Sequence, residues 1–348
     1  MKRPMYWLSS VALFVLLGPA CSDGDDDGGF NPNGRAGNGN GGTAGIIINP
    51  GTGGVLGDGG PRGGSGGGFP LGPDGLPIGF TKADIGAWKL GARVTGAAGS
   101  AGSGSGGGAG SGTTGCGSVL TGVVRDFKRG DQAGGHPDFQ TFEGDGLKGI
   151  VEEALGDARK PTYVGTGPHI DADDDNQQHT TTPANFRQWY ISNDDINQTF
   201  LLHLFLVRQA DGKYTFESDN FFPLDGAGFG DQGLDNGEDP PVLHNYLFTT
   251  ELHTAFRYKG GETFRFEGDD DLWVFINGRL AIDLGGMHSE LEETITLDSA
   301  AGRLGITVGN VYSLELFHAE RRRVHSHFRI DTNLEFVDCG TVVQDPPE

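Results

Sequence analysis

The sequence is short of three things: cysteine, positive charge and long apolar runs. It has three cysteines in 348 residues. Lys and Arg number 25 against 47 Asp and Glu, a formal net charge of −22. Nucleic acid binding calls for a basic face, so this balance argues against it as a partner. Only the first twenty residues are apolar enough to approach a bilayer. No H-E-x-x-H motif is present and no cysteine stands beside a histidine, so no nucleophile or metalloprotease pattern emerges. Carboxylates are too many for any one pair to mark a glycosidase. The reading is of a protein that is not an enzyme.

Glycine is abundant, at 63 residues, and unevenly placed. Residues 24–117 hold 36 of the glycines and residues 118–348 hold 26. Glycine does not recur every third residue, which excludes a collagen helix. Charge divides the other way. Residues 1–117 carry 7 basic and 7 acidic side chains, and residues 118–348 carry 18 and 40. The start reads as an export signal at 1–20: Lys2 and Arg3, an apolar run from Met5 to Leu17, then Gly18-Pro19-Ala20. That run is too short to span a bilayer as a helix. Cleavage by an ordinary signal peptidase and lipidation of Cys21 both suit it. The acidic, flexible sequence after Cys21 favours a lipid anchor, and hence a membrane partner. Residues 21–116 then read as a disordered Gly/Ser-rich linker. Cys116 and Cys339 flank the ordered part and pair as a disulfide in an oxidising compartment, or else stand as two free thiols.

From Gly117 to residue 340 the pattern is that of strands, with a tail at 341–348. Val119–Phe127 is rich in β-branched and aromatic residues. Turns at Ala210-Asp211-Gly212, Lys259-Gly260-Gly261-Glu262 and Asn277-Gly278 predict hairpins. Phe328, Ile330, Thr332, Leu334 and Phe336 alternate with polar residues, the mark of a strand with one buried face. Ile150–Leu155 reads as a short helix. The fold class expected is all-β, an antiparallel sandwich or barrel.

Several motifs occur in order: VRDF at 124–127, HPDF at 136–139, FFPLD at 221–225, HNYLFTTELHTAFRYKGGETF at 244–264, FRFEGDDDLWVFINGRLAIDL at 264–284, GGMH at 285–288 and LFHAERRRVHSHFRIDT at 316–332. Across about 118–338 the chain resembles the fibro-slime domain, a branch of the protective-antigen-type β-barrel and flocculin-like lectin domains. That resemblance implies a surface binding module for extracellular carbohydrate or slime, in some members through Ca²⁺. It also implies that Asp269-Asp270 is the aspartate pair which those lectins join by a cis peptide, and that the second calcium loop lies near Ala319–Ser326.

The residues themselves make the same stretch conspicuous. Glu267-Gly268-Asp269-Asp270-Asp271 packs four carboxylates into five residues, which repel unless a cation neutralises them or backbone N–H groups cap them. Asp269, Asp270, Asp271 and Glu320 are the expected metal ligands, with Ca²⁺ as the ion. Trp273 and Arg321 are the expected ligand-binding residues. Trp189-Tyr190 and Trp273 stack on sugar or else fill a core, and Arg321-Arg322-Arg323 bind anionic glycan or else pair with local carboxylates. His318, His325 and His327 suggest a metal, the last two on one strand face at zinc spacing, against the alternative of ordinary surface or core histidines. The acidic stretches 171–176 and 231–239 read as solvated loops, with a calcium loop as the alternative; the first has the D-x-D-x-D opening but Asn176 and Thr182 where such a loop has Gly and Glu. Together these features describe an exported lipoprotein of a bacterial outer membrane or cell surface, or a secreted protein. Its work is then glycan binding or adhesion, with a structural matrix protein as the alternative and a glycan hydrolase a distant third.

Overall fold

Leu272-Trp273-Val274-Phe275-Ile276 is apolar at every position, so a strand built from it must bury both faces. The computed structural model, which describes residues 86–94 and 118–340, shows how. An eight-stranded antiparallel sheet runs in the order β1 (Trp88–Val94), β5 (Asn197–Phe205), β2 (Val119–Phe127), β8 (Phe248–Arg257), β13 (Val311–Glu320), β10 (Asp271–Ile276) and β11 (Arg279–Leu284). The eighth strand, β15 (Glu335–Asp338), pairs with the end of β8. A five-stranded sheet contains β12 (Leu291–Thr296), β9 (Thr263–Gly268), β14 (Phe328–Thr332), β7 (Tyr214–Ser218) and β6 (Val207–Arg208). A two-stranded ribbon joins β3 (Ile170–Asp171) to β4 (Gln177–Gln178). The architecture is an all-β sandwich.

Period-two alternation gives the large sheet two cores. Leu272, Val274 and Ile276 join Leu314, Leu316, Leu252 and Val124 against Phe264, Phe266, Phe328 and Ile330 of the small sheet. The intervening Trp273 and Phe275, with Phe317 and Ala319, face the other way and pack with Phe127, Phe139, Phe186, Trp189 and Tyr190. The second core is covered by the segment after β2, which includes the short helix α1 (Pro183–Gln188) capped by Thr182. A second helix, α2 (Leu297–Leu304), follows β12 and ends at Gly305 with φ 66°. Among the described residues no helix is long and apolar enough to cross a membrane.

Four expectations are corrected. Residues Trp88–Val94, read as linker, form edge strand β1 beside β5, with Trp88 edge-on to Phe221 at 5.5 Å. The Lys259–Glu262 turn does not close a hairpin. It carries the chain from β8 in one sheet to β9 in the other, with Gly260 and Gly261 at φ 95° and 85°. The alternating run 328–336 is two strands, β14 and β15, in different sheets. Ile150–Leu155 is not helical; Val151 bridges Tyr163 and Ala154 bridges Arg279. The expected signal segment, Cys21 and Cys116 lie outside the described residues.

Candidate functional site

The loop Asp269–Asp270 joins β9 of the small sheet to β10 of the large one, so its carboxylates are set where the sheets part. Each is held by a backbone donor. The His327 N–H donates to Asp269 Oδ2 and the Arg321 N–H to Asp270 Oδ2, both at 2.8 Å. Asp270 adopts φ 47°, and the cis peptides among the described residues lie at Asp239–Pro240 and Arg323–Val324, not at Asp269–Asp270. The expected cis linkage between the two aspartates is therefore absent.

Asp269 and Asp270 line an open cleft of about 360 Å³ together with His288, Arg322, Arg323 and His325. Glu320 lies close behind the two aspartates, 1 % exposed, with Oε2 lacking any partner among the described residues. Burial raises the pKa of all three carboxyls. Asp270 is pushed up to about 6, by desolvation first and against the pull of Arg321. Asp269 is raised by desolvation. Glu320 is raised well above the usual carboxylate range by desolvation, and then by repulsion from Asp270 and Asp269. A cation among them would offset the repulsion and give Glu320's orphaned oxygen a partner, but the three do not bring one oxygen each within 4.8 Å of the others.

Three of the expected site residues do other work. Asp271 is fully buried, accepting from Arg321 Nε at 2.7 Å and from the Gly286 N–H at 2.7 Å, so it is not a free metal ligand. Arg321 is 0 % exposed. Its Nη1 donates to the carbonyls of Asp138 and His179, and its guanidinium stacks 4.4 Å from the Trp189 ring. Trp273 is also at 0 % and donates Nε1–H to Asp283. Neither can touch an external ligand, because the second core closes over both. Arg322 and Arg323 pair with Glu143 and Asp235 at the rim of the cleft. Trp189 and Tyr190 are core residues as well.

The acidic loops are capped from within. Asp171 accepts from the Asp173 N–H, Asp231 from Gly233 and Asp235 from Gly237. His325 and His327 precede β14 rather than lying on it. His318 is buried among Phe221, Phe248, Phe266 and Phe328, where desolvation lowers its pKa to about 3. The cleft wall supplied by His288 and Glu143 carried no functional expectation. The Gly285–His288 motif was its one visible signal, because the glycines let that loop turn back beside β10.

Residues 232–342 match the PA14 domain family model. The matched segment contains Asp269, Asp270, Glu320 and most of the cleft. Relatives come from Dictyostelium discoideum. Protein psiD is 34% identical over 200 residues, 57% of this chain and 38% of psiD. Protein psiB is 46% identical over 132 residues, 36% of this chain and 22% of psiB. The chain thus spans two fifths or less of the length of these relatives. Among solved structures, a PA14 sugar-binding domain from an RTX adhesin superposes with a TM-score of 0.21 at 15% identity, over 26% of this chain and 49% of that one. The PA14 domain of the antifreeze protein MpAFP gives a TM-score of 0.24 at 11% identity, over 66% and 96%.

Proposed function

We propose that this protein is a cell-surface binding module that takes extracellular carbohydrate at the Asp269–Asp270 cleft with the help of Ca²⁺. One observation carries the reading. Asp269 and Asp270 line an open cleft, and the buried Glu320, with one unpartnered oxygen, lies near enough behind them to feel their charge, all three within the segment that matches the PA14 model. Calcium takes oxygen ligands, and Asp269, Asp270 and Glu320 offer oxygen alone. When bound, the ion supplies a positive centre that orients vicinal hydroxyls. The chain supplies donors around it from Arg322, Arg323 and His325. No Trp, Tyr or Phe lines the cleft, so recognition is polar and not a stacking platform. Within this reading the domain is of fibro-slime type. Cys21 carries the lipid, and the Gly-rich stretch presents the domain at an outer membrane.

A glycan array probed with the purified chain, with and without chelator, tests this. Binding lost on chelation and lost in Asp270→Asn supports it. Thermal melts in EDTA and in millimolar Ca²⁺ should differ, by about 2.7 kcal/mol at a hundredfold excess over Kd. Identical melts with no glycan bound would leave a matrix-assembly role as the better reading.

A further inference from the structure

Beside the cleft, three segments converge on a second set of donors. Glu267 lies near the end of β9, Glu290 just before β12 and His327 just before β14. One donor atom from each lies within 4.8 Å of the others; among the described residues this is the one His/Cys/Asp/Glu group so assembled. His327 Nδ1 is 3.9 Å from Glu290 Oε2 and 3.0 Å from Asp219 Oδ1. Donors on a tetrahedral ion with bonds of 2.0–2.1 Å stand about 3.3 Å apart, between those two separations. Asp269, Asp270 and Glu320 form no such compact group, so the two clusters differ in preassembly as well as in chemistry.

Charge points the same way. The carboxyl groups of Glu267 and Glu290 stand close together, an arrangement that favours a proton or a cation between them. Arg265 engages Oε2 of Glu267, and Arg329 lies 3.9 Å from the same oxygen. Against these two cations stand Glu267, Glu290, Asp219, Glu217, Glu292 and Asp331, several of them paired with the same two arginines. The site is in deficit of positive charge even after its arginines are counted. The His327 side chain is 11 % exposed and that of Glu290 53 %, so the imidazole is fixed and an ion has a way in. The other ring nitrogen, Nε2, is buried without a partner.

We propose that Glu267, Glu290 and His327 bind a divalent transition-metal ion of the Zn²⁺ class, with Asp219 or water completing the coordination. The imidazole separates this site from a calcium site, since Ca²⁺ is bound through oxygen whereas nitrogen with carboxylate suits Zn²⁺, Co²⁺ or Ni²⁺. The ion ties the end of β9 to the segments before β12 and β14 at one end of the small sheet. It also braces the cleft, because the His327 N–H holds Asp269. This inference stands whether or not the cleft binds carbohydrate.

Calorimetric titration of untagged, metal-stripped protein with Zn²⁺, together with the visible spectrum of a Co²⁺ complex, tests it. One ion per chain is expected. Glu290→Gln alters an exposed side chain and leaves the fold intact. It and His327→Ala should each weaken binding by more than the about 10–100-fold that loss of an outer-shell partner costs. Asp270→Asn should leave Zn²⁺ binding unchanged. Failure of the wild-type chain to bind Zn²⁺ would overturn the proposal. So would equal affinity in Glu290→Gln, or loss in Asp270→Asn with retention in His327→Ala.

Discussion

At the scale of single residues, Arg321 shows how a motif that reads as a ligand contact becomes a buried staple. A guanidinium at 0 % exposure is tolerated because Asp271 neutralises it, Nη1 donates to two carbonyls and an indole face covers the plane, with Nη2 alone lacking a partner among the described residues. Removing the cation leaves Asp271 buried and uncompensated. Arg321→Ala should therefore cost about 3–5 kcal/mol in urea unfolding. A residue that only contacted glycan would leave the unfolding midpoint where it was. Asp270 works in the opposite sense. Its folded pKa of about 6 exceeds the ordinary value of 3.8. Its protonated form thus contributes stability that is fully present below about pH 4 and lost as pH rises through about 6. The loss is at most about 3 kcal/mol, from 1.36 kcal/mol per unit. Asp270→Asn should flatten this part of the pH–stability curve in EDTA, as followed by melts from pH 4 to 7. An unchanged slope would mean that Asp270 is ionised in the fold across that range.

At the scale of elements, strand β2 lies between β5 and β8, with all nine residues buried. Gly122 sits at its centre because nothing larger fits. A β-carbon there would stand 2.1 Å from the Glu251 carbonyl oxygen and 2.4 Å from Leu252 Cδ2. Gly122→Ala should cost about 3 kcal/mol or more, the upper end for overpacking, with β2 and β8 forced apart. Hydrogen exchange at the β2–β8 amides would report it. The strands themselves were legible: Val119–Phe127 is β2, and Asn277-Gly278, at φ 54° and 69°, closes the β10–β11 hairpin. What local pattern cannot show is which sheet a strand joins. The Gly260–Gly261 turn suits an arch between sheets as well as a hairpin, and the alternation of 328–336 continues through the change from β14 to β15. The site was legible to the same depth. The crowding of Asp269-Asp270-Asp271 was visible, but the division of labour was not. It depends on Arg321 arriving fifty residues later with its guanidinium on Asp271 and only its backbone N–H on Asp270. Glu290 and Asp219 carried no signal, since their role arises only where three segments meet.

At the scale of the whole molecule, the open question is what holds the two ends of the domain together. Cys339 is disulfide-bonded, and its partner lies outside the described residues. We propose Cys116 as that partner. The Thr121 N–H donates to the Cys339 carbonyl at 2.8 Å, and Cys339 packs against the main core. Five residues before Thr121 is a short reach for a chain leaving β2, whereas Cys21 is a hundred residues away. A Cys116–Cys339 bond would clamp the start of β2 to the end of β15 and close nearly the whole sandwich into one loop. In the chain-entropy model such a loop contributes up to about 5 kcal/mol by restricting the unfolded chain. Cys116→Ser and Cys339→Ser should then lower the urea midpoint equally, and the double variant should lower it no further, because each single change removes the same bond. Peptide mapping without reductant should find the two cysteines in one fragment pair. A Cys116→Ser variant that melts like the wild type, with Cys339 still oxidised, would give the bond to Cys21 instead. The export segment would then be tied to the domain, and Cys21 would not be available for lipid.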